Sequence, residues 1–524
     1  MKILHNARVY TLDRAVPQAS ALLIDHGEVL AVGGEELLAE AAGAQHVDLG
    51  GRVVLPGLTD AHLHFHFYSL ALQKVDCETD TVEECVRRVA ERSASARAGE
   101  WVLGHGWNQN VWGSWPTAAD LDRVLPDRPV YLTAKSLHAA WANSAALKLA
   151  GVTSATPDPK DGVIQRDERG QPTGILLESA VALVADIVPQ PDLDGLADAM
   201  EKAQPILWRM GLTGIHDFDR RDSFMALQKL HAEQRLKLRV TKNLPVELLE
   251  QAFALGLRTG FGDDWLRIGS VKAFMDGALG PRTAAMFQPY DGEPGNTGIL
   301  NMDGEQLFEY GRQAADVGLG MTVHAIGDRA NHEVLNAYEH LRSYEADNAL
   351  PHLRHRIEHV QVLHPDDVPR LARLNVVASM QPVHATSDML MADRYWGERT
   401  SYAYALKSQI DAGAHVAFGS DAPVESPNPF WGIHAAVTRR RADGSPGPEG
   451  WHPEQRLTMQ QAIEGFTTGA AYAAYAENRQ GRLAPGYLAD LIVLERDPFT
   501  CNPSEVKDLA SSATMIGGTW VIEP

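Results

Sequence analysis

Between about residues 206 and 479 the chain repeats one local grammar, a short run rich in β-branched residues followed by a segment with helical spacing. The runs are LTGIHDF, LKLRVTKNL, LRIGSVKAFMD, GMTVHAIGD, HRIEHVQ, NVVASMQP and HVAFGSDAP. Strands separated by helices pair in parallel, so this stretch reads as a parallel barrel or a doubly wound sheet. Adding the run in TDAHLH gives eight strands, near 59–64, 213–217, 237–243, 268–275, 321–325, 356–360, 375–380 and 416–421. The helices between them carry start signals. Pro365, followed by two acids, sits where a first helical turn tolerates it, and Thr458 with Gln461 forms a capping-box pattern. In DRANHEVLNAYEHL, the residues Val334, Leu335, Tyr338 and Leu341 share one helical face directly after the strand carrying His324.

The two ends have a different character. Residues 1–54 and 480–524 are short β-rich runs broken by Gly and Asp turns, and they are expected to meet in one small β-domain. Residues 68–205, with Trp101, Trp107, Trp112 and Trp115, are too long for a loop and predict an insertion after the first barrel strand. That leaves 55–67 and 206–479 for the sheet and its helices.

Charge narrows the partners. With 47 Lys and Arg against 68 Asp and Glu the net charge is −21, the wrong sign for a nucleic-acid surface. No apolar run approaches the ~18 residues of a membrane span. A polar start without an apolar signal region, and three cysteines with no CxxC pair, predict a cytoplasmic protein. The partners left are a small-molecule substrate and, at most, a second copy of the chain in a homodimer.

The chemistry begins at TDAHLHFHF. His62 and His64 are two apart in a strand, so both side chains leave one face and can share a metal. In a chain with 21 histidines this alone is weak, and His66, further out, reads as a rim residue. The weight comes from the other strand ends, which carry Lys272, His324, His359 and Asp421. Catalytic groups on parallel barrels gather at the C-terminal ends of several strands.

PGLTDAHLH, SVKAFMDGALGPRTA, VHAIGDRAN, RIEHVQ, SMQPVHATSD, GSDAP and the GWNQNVW of the insertion together resemble the amidohydrolase superfamily, in its family 3 branch that includes N-substituted formamide deformylases. The resemblance runs over most of the chain. It implies an α/β fold, a distorted (β/α)8 TIM barrel with a composite β-sandwich from both termini, and one or two divalent metals, commonly zinc. His62 and His64 would hold the first metal with Asp421, and His324 with His359 the second. Lys272 would bridge them as a carbamate formed with CO2, since an ammonium cannot ligate a cation. The competing role for Lys272 is a salt bridge to nearby Asp276.

Such a site implies hydrolysis of an amide C–N bond (N-acyl, formamide or cyclic amide). Metals lower the pKa of bound water toward 7 and polarise a carbonyl, and Asp421 would move the proton from the attacking hydroxide to the leaving amine. Arg282, His384, Trp107 and Asn108 are candidate substrate contacts, with ion pairing for Arg282 and core packing for the tryptophan as alternatives. His138 resembles a family motif position, and the orientation of His216 stays open. Two other functions compete. A mononuclear deaminase typically carries His-x-x-Glu on the fifth strand and lacks the lysine, whereas here Gly327 stands three after His324 and Lys272 is present. A non-catalytic barrel would be expected to have lost ligands.

Overall fold

The computed structural model describes residues 1–41, 43–94, 100–135, 139–160 and 162–524. Its centre is an eight-stranded parallel sheet: β1 (Leu58–Leu63), β2 (Leu212–Asp217), β3 (Arg239–Pro245), β4 (Leu266–Phe274), β5 (Met321–Ala325), β6 (Arg356–His359), β7 (Val377–Met380) and β8 (Val416–Phe418). Each strand pairs with the next in sequence. A parallel bridge between Leu63 and Ala422, just past β8, brings the ends of the sheet together into a nearly closed barrel. All eight strands lie where the alternation of β-branched and helical segments puts them. Phe274 registers with His324, and His324 with Glu358, so the ends of β4, β5 and β6 lie side by side.

Helices cover the outside as their spacing requires. The helix Asp328–Asp347 buries Val334, Leu335, Tyr338 and Leu341. At Thr458, the hydroxyl accepts the Gln461 backbone N–H at 3.2 Å, and the Gln461 side-chain oxygen Oε1 accepts the Thr458 N–H at 3.0 Å. The segment starting at Pro365 departs from a single helix. It makes a 3-10 turn over Pro365–Asp367 and then a short helix over Arg370–Arg373. Pro369 between them has no N–H to donate, so the helical hydrogen bonds cannot run through it.

The terminal segments build two further sheets. One contains Lys2–His5, Ala21–Asp25, Glu28–Gly33 and Gln45–Asp48, and the other joins Arg8–Tyr10, Gln18–Ala19 and Val53–Pro56 to Leu491–Leu494, Ala513–Ile516 and Thr519–Ile522. Val53–Pro56 lies antiparallel to Leu491–Leu494 across almost the whole chain. Leu4, Leu22, Val29, Val54, Leu491 and Met515 fill one apolar core between them.

Residues Ser69–Ala199 form a second compact unit. Its six-stranded sheet contains Val75–Asp76, Val102–Trp107, Val130–Ala134, Ala139–Ala142, Gly162–Arg166 and Pro172–Glu178. Trp107 and Trp141 belong to its core, with Trp112 packed against them. Trp107 and Trp141 are fully buried, and Trp107 lies 5.9 Å from Trp112 and 6.0 Å from Trp115 between ring centres. Among the described residues, no helix is long and apolar enough to cross a membrane.

Candidate metal centre

His62, on β1, and His64, one residue past its end, each have one imidazole nitrogen held from behind by a carboxylate. His62 Nδ1 donates to Glu358 Oε2 at 2.5 Å, and His64 Nδ1 donates to Asp219 Oδ1 at 3.0 Å. Both Nε2 atoms then face Asp421 Oδ1, at 3.5 and 3.4 Å. Burial, with the Lys272 cation nearby, lowers the His62 pKa to about 4 even though Glu358 pulls the other way, so this imidazole is neutral. Burial also resists charge on His64, but the bonds to Asp219 and Asp421 outweigh it and raise its pKa to about 9. Asp421 is ionised. Burial opposes that charge, and the His64 bond with the His62 and His359 rings holds its carboxyl well below the usual range.

Backbone contacts fix this corner of the barrel. The Asp421 N–H donates to the His62 carbonyl at 2.7 Å, and the His64 N–H to the Ala422 carbonyl at 2.8 Å. Asp421 has φ of 62°, a left-handed conformation that Asp adopts more readily than most residues. Behind it, buried Asp60 accepts the N–H groups of His62 and Ser420, each at 3.0 Å, and the Ser420 hydroxyl at 2.5 Å. Burial raises the Asp60 pKa to about 7.

The second group draws on His359 at the end of β6 and His384 in the helix Pro382–Trp396 that follows β7. His359 Nδ1 donates to Gln381 Oε1 at 2.8 Å, which leaves Nε2 free to accept, and burial beside His324 keeps the ring neutral. His359, His384 and Asp421 each offer a ligand atom within 4.8 Å of the others, as do His62, His64 and Asp421. Asp421 is common to both groups. His384, read from the sequence as a substrate contact, thus stands at ligand distance, and its buried Nε2 has no hydrogen-bond partner among the described residues. His324 adjoins His359, with ring centres 4.6 Å apart, but its Nε2 faces the Gly277 carbonyl at 2.9 Å and it joins neither group.

Lys272 sits among these residues with no hydrogen bond or ion pair to its buried Nζ among the described residues. Its ammonium lies 4.9 Å from the Phe218 ring and 4.8 Å from the Phe274 ring. Burial lowers its pKa to about 8 against the pull of Glu358 and Asp421. The alternative partner Asp276 is engaged elsewhere. Its carboxylate accepts the N–H groups of Ala285, Ile326 and Gly327 at 2.8 to 3.0 Å.

These residues suit a divalent cation. At His62 and His359, neutral imidazoles whose outer nitrogen is fixed by a carboxylate or amide present a lone pair inward, the usual support for metal-ligating histidine, and His64 would do the same once its proton is displaced. Nitrogen and carboxylate donors in this number are ligands a divalent metal takes.

A family model described as "Amidohydrolase family" matches residues 45–522. The chain belongs to the amidohydrolase family. Over its whole length it is 34% identical to the putative amidohydrolase YtcJ of Bacillus subtilis (strain 168), covering 99% of each chain. It is 28% identical to the N-substituted formamide deformylase of Arthrobacter pascens, covering 98% of this chain and 96% of that one. An uncharacterized metal-dependent hydrolase from Pyrococcus furiosus superposes with a TM-score of 0.78 at 32% identity, over 95% of this chain and 100% of that one.

The other sequence candidates of this amidohydrolase are placed as follows. Arg282 pairs with Glu293 at 2.6 Å and lies over the Tyr395 ring, an ion-pair role. Trp107 is buried in the core of its own unit and donates its indole N–H to the Leu132 carbonyl at 2.9 Å, a packing role. The carbonyl of half-buried Asn108 accepts the N–H groups of Val111 and Trp112. His216 Nδ1 accepts from Arg356 at 2.9 Å inside the barrel. His66 stacks on Phe67, and His138 lies outside the described residues.

Two residues escape the sequence pattern altogether, Glu358 and Asp219. Glu358 also accepts the Thr322 hydroxyl at 2.5 Å and pairs with Arg356 at 2.8 Å. Arg356 and Glu358, two apart, face the barrel interior together, and two buried charges on one strand face were the available signal.

Proposed function

We propose that this amidohydrolase cleaves the C–N bond of an amide, giving a carboxylate and an amine. The observation that carries the proposal is the convergence of His62 Nε2 and His64 Nε2 on Asp421, with the buried amine of Lys272, unpartnered among the described residues, near enough to feel the Asp421 and Glu358 charges. A divalent cation held by these residues, zinc in our reading, would polarise the amide carbonyl and acidify water. His62 and His64 would hold one cation with Asp421. His359, with His384 or His324, would hold a second.

Asp421 is the group that moves the proton. It is ionised and next to the ligand nitrogens, so it can take a proton from the attacking water and deliver it to the departing amine nitrogen. Lys272 fits a carbamate. Its neutral amine would add to CO2 and lose a proton, turning an isolated buried cation into an anion of two oxygens. Glu358 and Asp219 hold the imidazoles in the tautomer that keeps Nε2 available. We place the protein in the cytoplasm.

The test is a hydrolysis screen of metal-reconstituted protein against formamides, N-acyl amino acids, cyclic amides and carbamate-type esters, following amine release. Turnover of at least one amide class that is lost on chelation is expected. Deamination of a ring substrate with no amide turned over would reject the proposal.

A further inference from the structure

A second cavity, of about 670 Å³, lies among the loops after β4 and β6, the start of the helix after β5 and the 3-10 segment Gly397–Tyr402 beyond β7. None of the residues lining it is a candidate metal ligand or a hydrogen-bond partner of one. Its volume is that of a small-molecule site.

Two of its walls are aromatic and left partly in water, with Phe287 41% and Tyr402 40% exposed. Phe287 packs at steep angles against the His332 and His364 rings, with centres 5.3 and 5.9 Å away.

The charge in the wall is negative. Asp328 is only 5% exposed, and its Oδ1 accepts the N–H groups of Phe287 at 2.9 Å and Arg329 at 2.8 Å. Among the described residues nothing donates to Oδ2. Burial raises the Asp328 pKa, and the two N–H bonds with the charge of Arg399 do not offset it. Asp366 and Glu398 add two more carboxylates to the lining. The guanidinium there, Arg399, is already spent on the carbonyls of Trp396, Gln288 and Tyr395 and on Asp291, at 2.8 to 3.1 Å. His332 Nδ1 lies 3.0 Å from Asp367 Oδ2, and His364 Nδ1 accepts the Asp366 N–H at 3.4 Å, so neither imidazole brings an unpaired positive charge.

We propose that this cavity binds a small organic ammonium ion, with Asp328 as its counter-ion and the Phe287 and Tyr402 rings against its alkyl groups. A cation is attracted to aromatic faces, and a buried carboxylate without a partner charge gains one. The site is separate from hydrolysis, and the proposal stands whatever bond the metal centre cleaves.

The test titrates choline and its neutral carbon isostere, 3,3-dimethylbutan-1-ol, into the protein as purified, by calorimetry at pH 8 and low salt. The two match in shape and share the hydroxyl, so the difference reads the charge. Choline should bind at least tenfold more tightly. Asp328→Asn, whose side-chain oxygen can still accept the Phe287 N–H, should weaken choline by about tenfold or more. Phe287→Leu, which keeps an apolar wall without the aromatic face, should weaken it about three- to thirtyfold. Should Asp328→Asn fail to fold by circular dichroism, Phe287→Leu decides alone. Equal binding of choline and the alcohol, or choline binding unchanged in either folded variant, would overturn the proposal.

Discussion

Glu358 Oε2 lies 2.5 Å from His62 Nδ1, and through its other oxygen the same carboxylate meets Arg356 and Thr322. One buried anion therefore sets the tautomer of a candidate metal ligand and pairs with the buried Arg356. Burial alone would raise the Glu358 pKa, but Arg356 and His62 hold it well below the usual carboxylate range.

Glu358→Gln separates these roles from simple packing. The amide keeps the size but not the charge, so metal affinity should fall about 10- to 100-fold, as for other carboxylates supporting a ligand histidine. Stability should fall by about 3–5 kcal/mol, because the Arg356 charge loses its buried partner. Chelator competition and thermal melts read the two effects, and unchanged metal affinity would deny the supporting role.

His62→Ala or His64→Ala should remove metal and activity while circular dichroism stays that of a folded barrel. The large apolar core does not rest on either ring. Loss of folding in both variants would point to a structural site.

Lys272 gives a prediction in pH and bicarbonate. Its pKa is lowered from 10.5 to about 8, so about half the amine is neutral at pH 8, and that fraction drops about tenfold per unit below. Metal reconstitution should need bicarbonate and slow in that proportion from pH 8 to pH 6. Lys272→Ala should be inactive and partly rescued by short carboxylic acids, whereas Lys272→Arg should stay inactive, since guanidinium neither captures CO2 stably nor ligates a cation. An active Lys272→Arg protein would make the residue an ordinary cation.

His64 reports on the proton that a cation must displace. With its pKa raised to about 9, the metal-free protein carries this proton at neutral pH and gives it up on binding. Apparent affinity should therefore rise with pH by about tenfold per unit up to pH 9. Calorimetry in buffers of different ionisation enthalpy should find close to one proton released from His64. Affinity independent of pH between 7 and 9 would contradict the assignment.

Asp421→Asn keeps the side-chain shape, and Asn tolerates the left-handed backbone found at this position, so the fold should be preserved. Turnover should drop by at least about 10² to 10⁴, far more than metal content. Wild-type turnover at full occupancy would pass the proton step to another group, with His384 the next candidate.

The eight strands were legible because β-branched runs alternate with helical spacing, a signal that survives without any knowledge of contacts. His62, His64 and Asp421 were legible for a related reason, since each ends a strand whose neighbours also end in ligand-type residues. Glu358 and Asp219 were not, because a carboxylate beside a histidine in sequence does not announce which imidazole it holds in space. Glu358 precedes His359 yet supports His62, 296 residues away. Trp107 was read as a substrate contact with packing as the alternative. Only the three-dimensional cluster of tryptophans separates the two, since an indole looks the same in a core and in a pocket mouth. Pro365 marked a helical turn correctly, and the effect of Pro369 four residues later was the part left unread.

The pairing of Val53–Pro56 with Leu491–Leu494 also bears on synthesis and folding. Barrel strands find partners in the next βα unit, but this terminal sheet must close a loop of more than four hundred residues, and loop-closure entropy makes such contacts late ones. On the ribosome, Val53–Pro56 waits for its partner until nearly the whole polypeptide has emerged, with an open β edge in the meantime. Pulsed hydrogen exchange during refolding should accordingly protect β4 to β6 before the amides of Val53–Leu55, and low temperature should improve recovery of native protein by weakening the apolar self-association of that edge.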